Sequence, residues 1–464
     1  MQRTGARVAC AVWLLGGLLG CGVRPEAMER PSFVVVLSDD QRFDALGVVQ
    51  REQGDRARFP WLATPNLDHL AAEGVRFRNA FAVSALCSPS RASFLTGLYG
   101  HANGIVDNET PLAPSTVTVA SLLRAAGYRT GYVGKWHMGG QVERPGFEWS
   151  ASYRGQGSYF DCSFEVDGAP QPTRGWVDDV ATDYAVEFLR LHRSEPFLLV
   201  VGYKSPHGPH KQEAVPDRAR GRHRDVRLEA APNALALPPY EAPQQRGWVS
   251  GTDDAVRSYF DLVSAMDDAF GRLLDAIDAL GLSERTVVIF AGDNGYLLGE
   301  HGMRTKRAAY EGSIRIPLLV RWPGQGDAAR GLRVDAPVLN VDLAPTLLEL
   351  AGVPAPGPLH GRSLGGLLED RGSPWRRAFL YEFFEEPSFW IPTQLALRAS
   401  DAKLIVYPGH PEWTELFDLA SDPGEQQNLA RDPERAAQVE RLRADLEREA
   451  RALGLEPAQL APSG

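Results

Sequence analysis

Four short runs of branched and aromatic residues constrain what this chain can fold into: Phe33 to Ser38, Thr130 to Val133, Phe197 to Tyr203 and Thr286 to Ala291. Being apolar almost throughout, each predicts a strand buried on both faces of a sheet. Helical patterns lie between them. Thr64-Pro65 opens one that runs to Glu73 and stops at Gly74, and Val119 to Ala126 is stopped by Gly127. Longer ones cover Val177 to Leu191 and Asp254 to Leu280, the second with Val256, Phe260, Val263, Met266, Phe270, Leu273, Leu274 and Ile277 at helical spacing. This alternation predicts an α/β fold, a large mixed, mainly parallel sheet flanked by helices.

The chain of 464 residues is 44% hydrophobic, enough for a large core and more than one domain. Gly352 to Pro358 reads as a connection to a smaller unit. That unit is expected to be a short antiparallel sheet from Phe379, Leu395, Lys403 and Leu416, packed by a helix over Pro433 to Ala452 through Val439, Leu442 and Leu446. The expected division is 1–21 as an export signal, 30–355 as the larger domain and 356–464 as the smaller one.

Arg3 and Arg7 precede an apolar run, Val8 to Leu19, that is too short to span a bilayer, and Leu18-Leu19-Gly20-Cys21 looks like a lipobox. The expectation is an exported protein, lipid-anchored through Cys21 in a bacterial cell envelope, at the periplasm or the cell surface. An ordinary secretory signal cleaved nearby is the alternative. Of the four cysteines, Cys10 lies in the signal and Cys21 at the lipid site, so only Cys87 and Cys162 are left to pair. If Cys87 is modified, Cys162 stands alone and reads as a small buried hydrophobe.

Polar residues gather at the strand ends. Asp39 and Asp40 follow the first run, Lys135 and His137 the second, His207 the third, and Asp293 and Asn294 the fourth. Open α/β sheets bind ligands outside the carboxyl ends of their strands. Asp39, Asp40, Asp293 and Asn294 offer oxygen ligands, which suit a hard divalent cation, calcium above magnesium, and disfavour zinc. Arg91, Lys135, Lys306 and the imidazoles suit an oxyanion. The net charge of −10 argues against a nucleic-acid partner, so any positive field is local. Taken singly, the Asp-Asp pair reads as a cap, Gly292 to Gly295 as a turn and Lys306 as a solvated side chain. Together they point to a sulfate or phosphate ester.

Residues 87 to 97, Cys-Ser-Pro-Ser-Arg-Ala-Ser-Phe-Leu-Thr-Gly, fit neither a zinc nor a disulfide pattern. They resemble the signature of the sulfatase family, the type I, formylglycine-dependent branch of the alkaline phosphatase-like superfamily. In that signature the cysteine of Cys-x-Pro-Ser-Arg is oxidised after translation to Cα-formylglycine. Gly134-Lys135-Trp136-His137, Pro206-His207 and the segment Gly292 to Lys306, with Gly299-Glu300-His301-Gly302, resemble further elements of the family. So do Pro317-Leu318-Leu319-Val320 and Leu416-Phe417-Asp418-Leu419 with Asp422-Pro423. The resemblance makes 30–355 the catalytic domain and implies one Ca2+ held by Asp39, Asp40, residue 87, Asp293 and Asn294. It implies that hydrated formylglycine at position 87 attacks sulfur, with a ligand carboxylate such as Asp293 helping to activate it. Arg91, Lys135 and Lys306 stabilise the sulfuryl charge, His207 with Lys306 protonates the leaving oxygen, and His137 takes the proton that lets sulfate leave. Pro89 and Ser90 are expected to start a helix to Leu98, stopped at Thr96-Gly97, which sets residue 87 at a helix N-terminus where amides favour an anion.

The loop from Arg144 to Gly175, with Arg154-Gly155-Gln156-Gly157-Ser158-Tyr159-Phe160, resembles that of glycan exo-sulfatases related to the N-acetylglucosamine-6-sulfatases. The implied partners are a sulfated saccharide and a formylglycine-generating maturation enzyme. Lys211 to Arg246 is expected to be a surface insertion that rims the pocket, and His210, His301 and Trp390 to contact substrate. Two other readings stand beside the sulfatase: a phosphate or phosphonate ester hydrolase of the same superfamily, and an unprocessed, inactive lipoprotein that binds glycan.

Overall fold

The computed structural model describes residues 30–140, 143–241, 254–324, 329–368, 374–386 and 389–456. The export segment, with Cys10 and Cys21, lies outside the described residues. A ten-stranded sheet forms the centre, in the order Leu332–Val334, Val75–Phe77, Leu318–Arg321, Thr286–Gly292, Ser32–Asp39, Phe197–Pro206, Arg129–Lys135, Trp149–Tyr153, Phe164–Val166 and Ala169–Gln171. The five strands from Thr286–Gly292 to Trp149–Tyr153 run parallel. Antiparallel pairs continue the sheet on both sides.

The apolar runs owe their composition to two cores. On the central strand, Val34 and Val36 enter one cluster with Met266, Phe270 and Leu273 of the helix Asp254–Ala279. Phe33, Val35 and Leu37 enter another with Leu123 of the helix Val119–Ala125. With both faces covered there is no polar alternation to see, and each fully buried Val or Phe contributes about 1.5–3 kcal/mol of transfer free energy. The expected apolar face of the long helix, Val256 through Ile277, is buried throughout. Thr118 and Ser121 cap the helix at 119 reciprocally, through bonds of 3.1 and 2.9 Å between side chains and backbone amides.

The smaller unit is a four-stranded antiparallel sheet, Ala378–Phe383, Gln394–Ala399, Ala402–Val406 and Glu415–Asp418. The helix Ala436–Ala452 covers it with Val439, Leu442, Leu446 and Ala450. A 3-10 turn over Pro433–Arg435 precedes this helix, because the proline sits in an opening turn capped by Asp432. The same core takes in Val83, Ala85 and Leu86, so the second sheet braces the segment that leads to Cys87. A third, three-stranded sheet, Arg315–Ile316, Ala80–Phe81 and Val338–Leu339, is too short to leave a period in the sequence.

The stretch from Lys211 is more than a surface insertion. Ala214, Val215 and Ala219 pack into the main core, and Tyr240 into that of the smaller unit. Residues 242–253 fall outside the described ones. Beneath the strand ends two glycines allow a close approach: Gly134 has φ +83°, and a Cβ there would stand 2.2 Å from Gly202 O.

Candidate functional site

The strand ends converge as their polar residues suggest. Asp39 closes the strand Ser32–Asp39, and Asp40 follows in the left-handed region, with φ +63°. Asp293 begins the loop after Thr286–Gly292; its amide donates to Ser38 O at 2.9 Å, and its Oδ1 accepts from Asp40 N at 3.2 Å. Oxygens of Asp39, Asp40 and Asp293 lie within 4.8 Å of one another, all buried. Asn294 Nδ2 donates to Asp40 Oδ1 at 2.7 Å, while its Oδ1 is buried without a partner. Three buried carboxylates beside an orphaned amide oxygen fit a hard cation with oxygen ligands.

Three cations face this group. Lys135 Nζ donates to Asp39, Lys306 Nζ to Asp40, and Arg91 pairs with Asp293 Oδ2 at 2.9 Å. Burial pushes the Asp39 carboxyl up, but Lys135, His207, Lys306 and Arg91 outweigh it and hold Asp39 well below the usual carboxylate range. Asp293 moves the other way, up to about 6, because burial and the neighbouring Asp39 exceed the pull of Arg91 and Lys306.

Cys87 stands beside both groups. It opens the helix Cys87–Thr96, two residues earlier than Pro89 suggests, because proline without an amide hydrogen fits a first turn just as well away from its first position. Gly97, with φ +70°, ends the helix as expected. The Cys87 sulfur lies 2.8 Å from Lys306 Nζ, 3.8 Å from Lys135 Nζ and 3.4 Å from Asp39 Oδ1. Burial and the Asp39 carboxylate push its thiol up to about 12, so an unmodified Cys87 is a neutral thiol and a poor nucleophile. Arg91, one turn on, is also buried and donates to Lys135 O at 2.6 Å.

Both imidazoles reach the site. His207 lies with Asp39 and Cys87 in a second group whose ligand atoms are within 4.8 Å, and its Nε2 is 3.8 Å from Asp40 Oδ2. Its Nδ1–H donates to Gly208 O at 2.9 Å. His137 takes φ +57°, with Nε2 3.0 Å from Gln156 Nε2 and with Nδ1 buried and unpartnered. Burial and then Lys135 push His137 down to about 2 and His207 to about 3, so both rings are neutral in this charge environment.

Three further residues, His210, His301 and Trp390, are expected to contact substrate. His301 is buried, stacked on Tyr310 at 3.6 Å and bonded to Ala236 O at 2.8 Å, which turns it toward the smaller unit. His210 supports the turn at His207, with Nε2 2.9 Å from Pro206 O and its ring against Tyr259 and Tyr296. Trp390 is 59% exposed; the neighbouring Phe389 ring lies 3.5 Å from the Arg307 guanidinium carbon. Gln156 is the residue that site reasoning passed over: its Oε1 accepts from Lys135 Nζ at 2.6 Å. Its position inside the resemblance loop was the one signal for it. Cys162 is a buried free thiol like Cys87. A cavity of about 700 Å3, lined by Arg42, Arg58, Glu300 and Arg315, lies apart from this cluster, and Glu300 in its wall pairs with both Arg42 and Arg58.

The sulfatase family model matches residues 31–353, and the model of the N-sulphoglucosamine sulphohydrolase C-terminal region matches 299–452. The chain belongs to the sulfatase family. This sulfatase is 31% identical to an N-acetylglucosamine-6-O-sulfatase of Bacteroides thetaiotaomicron, over 87% of this chain and 83% of that protein. It is also 31% identical to an ulvan-active sulfatase of Formosa agariphila, over 94% of this chain and 85% of that one. A solved protein in complex with its substrate, D-glucosamine-2-N,6-O-disulfate, superposes with a TM-score of 0.82 at 28% identity, over 92% of this sulfatase and 98% of that chain.

Proposed function

We propose that this sulfatase hydrolyses sulfate esters of glycans, with 6-sulfated N-acetylglucosamine as the first substrate to test. The observation that carries the reading is Cys87: its sulfur is fully buried as a neutral thiol, yet stands against Lys306, Lys135 and Asp39 where an anion would be held. As a neutral thiol it is a poor nucleophile there. Oxidised to formylglycine and hydrated, residue 87 supplies two geminal hydroxyls, one to attack sulfur and one to let sulfate leave. Asp39, Asp40, Asp293 and Asn294, with residue 87, would hold a calcium ion, which would add Lewis-acid polarisation of a sulfuryl oxygen.

The remaining work falls to side chains already in place. Lys306 and Lys135 flank residue 87 and, with Arg91, meet the sulfuryl oxygens as charge develops on them. Asp293, one of these ligand carboxylates, receives the proton of the attacking hydroxyl. Lys306 keeps its proton, since burial, which disfavours it, is outweighed by Asp40 together with Asp39, Asp293 and residue 87, and it can pass one to the leaving oxygen. A bound sulfate ester adds negative charge beside His207 and raises its affinity for a proton, so that His207 joins Lys306 as acid. His137, neutral beforehand, takes the proton from the second hydroxyl.

Cys87 is 0% exposed in the folded chain, which supports oxidation by a maturation enzyme before folding is complete. The signal and Cys21 support export and lipid anchoring in the cell envelope. Protein co-produced with a maturation enzyme is to be assayed on 6-sulfated N-acetylglucosamine, an aryl sulfate and an aryl phosphate. Sulfate release with little phosphate release is the expected result; preferential phosphate release would contradict the reading.

A further inference from the structure

The turn that carries His207 satisfies most of its own carbonyls. Those of Lys204, Gly208 and Pro209 accept from His207 N at 3.0 Å, His207 Nδ1 at 2.9 Å and Lys211 N at 3.0 Å, and that of Pro206 accepts from His210 Nε2 at 2.9 Å. The carbonyl of His207 itself is served from another part of the chain: Tyr159 OH, 48 residues earlier, donates to it. With Nδ1–H engaged, only Nε2 of the ring is left for the site, 3.8 Å from Asp40 Oδ2. Because the ring is bonded to the next carbonyl of the same turn, its direction follows the backbone at 207 and 208.

Tyr159 is itself held fast. It is buried, stacks on Trp176 with ring planes 11° apart, and has the Lys204 ammonium 4.9 Å from its ring centroid. Its carbonyl accepts from Val177 N at 2.8 Å, where the helix Val177–His192 begins. The next residue of that helix, the fully buried Asp178, accepts the backbone amides of Lys204 at 2.7 Å and Ser205 at 3.1 Å, one on each carboxylate oxygen. Tyr159 and Asp178, joined through this helix start, thus grip the His207 turn by a carbonyl and by two amides. None of the proposed chemical steps uses either residue.

We propose that Tyr159 is a positioning residue of the sulfatase reaction: its hydroxyl, together with Asp178, holds the His207 turn so that Nε2 reaches the leaving oxygen. The proposal rests on the function given above, in which His207 helps to protonate that oxygen. Tyr159→Phe keeps the ring, its stack on Trp176 and the face offered to Lys204, and loses only the bond to His207 O.

Parent and Tyr159→Phe are to be assayed for sulfate release, alone and in a His207→Ala background, with turnover normalised to the converted fraction of residue 87. We expect kcat to fall about tenfold in Tyr159→Phe, part of the roughly 10²–10⁴ that a placed proton donor contributes, with KM within about threefold. In the His207→Ala background there is no ring to place, and the same substitution should lower kcat by less than about threefold. The thermal midpoint should fall by no more than about 4 °C, the scale of one lost buried bond. Three results would overturn the role: kcat kept within about threefold in Tyr159→Phe, a rise in KM alone, or a loss of more than about threefold in the His207→Ala background, which would show a role independent of His207. If His207→Ala shows no turnover, the division between kcat and KM in the single variant decides. If Tyr159→Phe does not fold, Asp178→Asn, which keeps one acceptor for the two amides, carries the same expectations and the same refutations. A parent that releases no sulfate removes the function itself, whereas an active parent with an equally active variant removes only the role of Tyr159.

Discussion

Lys306 Nζ lies 2.8 Å from the Cys87 sulfur and also donates to Asp40, so one ammonium bridges the nucleophile position and the carboxylate group. Removing it takes away both an anion contact and a proton donor. Lys306→Ala is expected to lower kcat by about 10²–10³, the range for loss of one transition-state donor. Steady-state sulfate release measures it.

Chelation is expected to abolish turnover and added calcium to restore it. The carboxylates of Asp39, Asp40 and Asp293 are crowded and buried, so a cation that binds the folded state stabilises it. At a free concentration a hundred times its dissociation constant the gain is about 2.7 kcal/mol. A rise in thermal midpoint with calcium, lost in Asp293→Ala, is the readout.

His101 links the two units by charge. Its Nδ1 lies 2.6 Å from Glu382 Oε2 and its Nε2 2.9 Å from Leu453 O. Burial pulls its pKa down, but the bond and charge of Glu382 outweigh burial and leave it above the ordinary 6.5. A raised folded-state value gives stability that is complete below the unfolded pKa and is lost as pH rises through the folded one. The midpoint advantage of the parent over His101→Gln should therefore be largest in acid and shrink above neutrality, as thermal melts across pH will show.

Gly202 lets the Phe197–Pro206 strand pass under the site. A Cβ there would stand 2.4 Å from Lys135 O and 2.9 Å from Arg91 Nη1. Gly202→Ala should destabilise the protein by about 1–3 kcal/mol and shift Arg91. Denaturant melts and kcat should fall together.

The sheet and the strand-end ligands were legible because apolar runs end where polar side chains begin: Val34 to Leu37 stops at Asp39, and Val287 to Ala291 at Asp293. Lys135, His137 and His207 reach the cluster for that reason, and motif resemblance adds Cys87, Arg91 and Lys306. The packing of His301 was not legible because a Gly-Glu-His-Gly segment does not reveal which way its turn faces; here φ +54° carries the ring to Tyr310. Gln156 went unassigned because its contact arises from a loop folding back onto Lys135, which leaves no period or spacing. The lipid site and the signal lie beyond the described residues.

The most direct test of the central claim is the mass of the tryptic peptide Asn79–Arg91, which contains Cys87, from protein made with a maturation enzyme and active on a sulfate ester. The account predicts the mass of the aldehyde in place of the thiol, with turnover in proportion to the converted fraction. Full turnover by protein whose peptide carries only an unmodified thiol would contradict it.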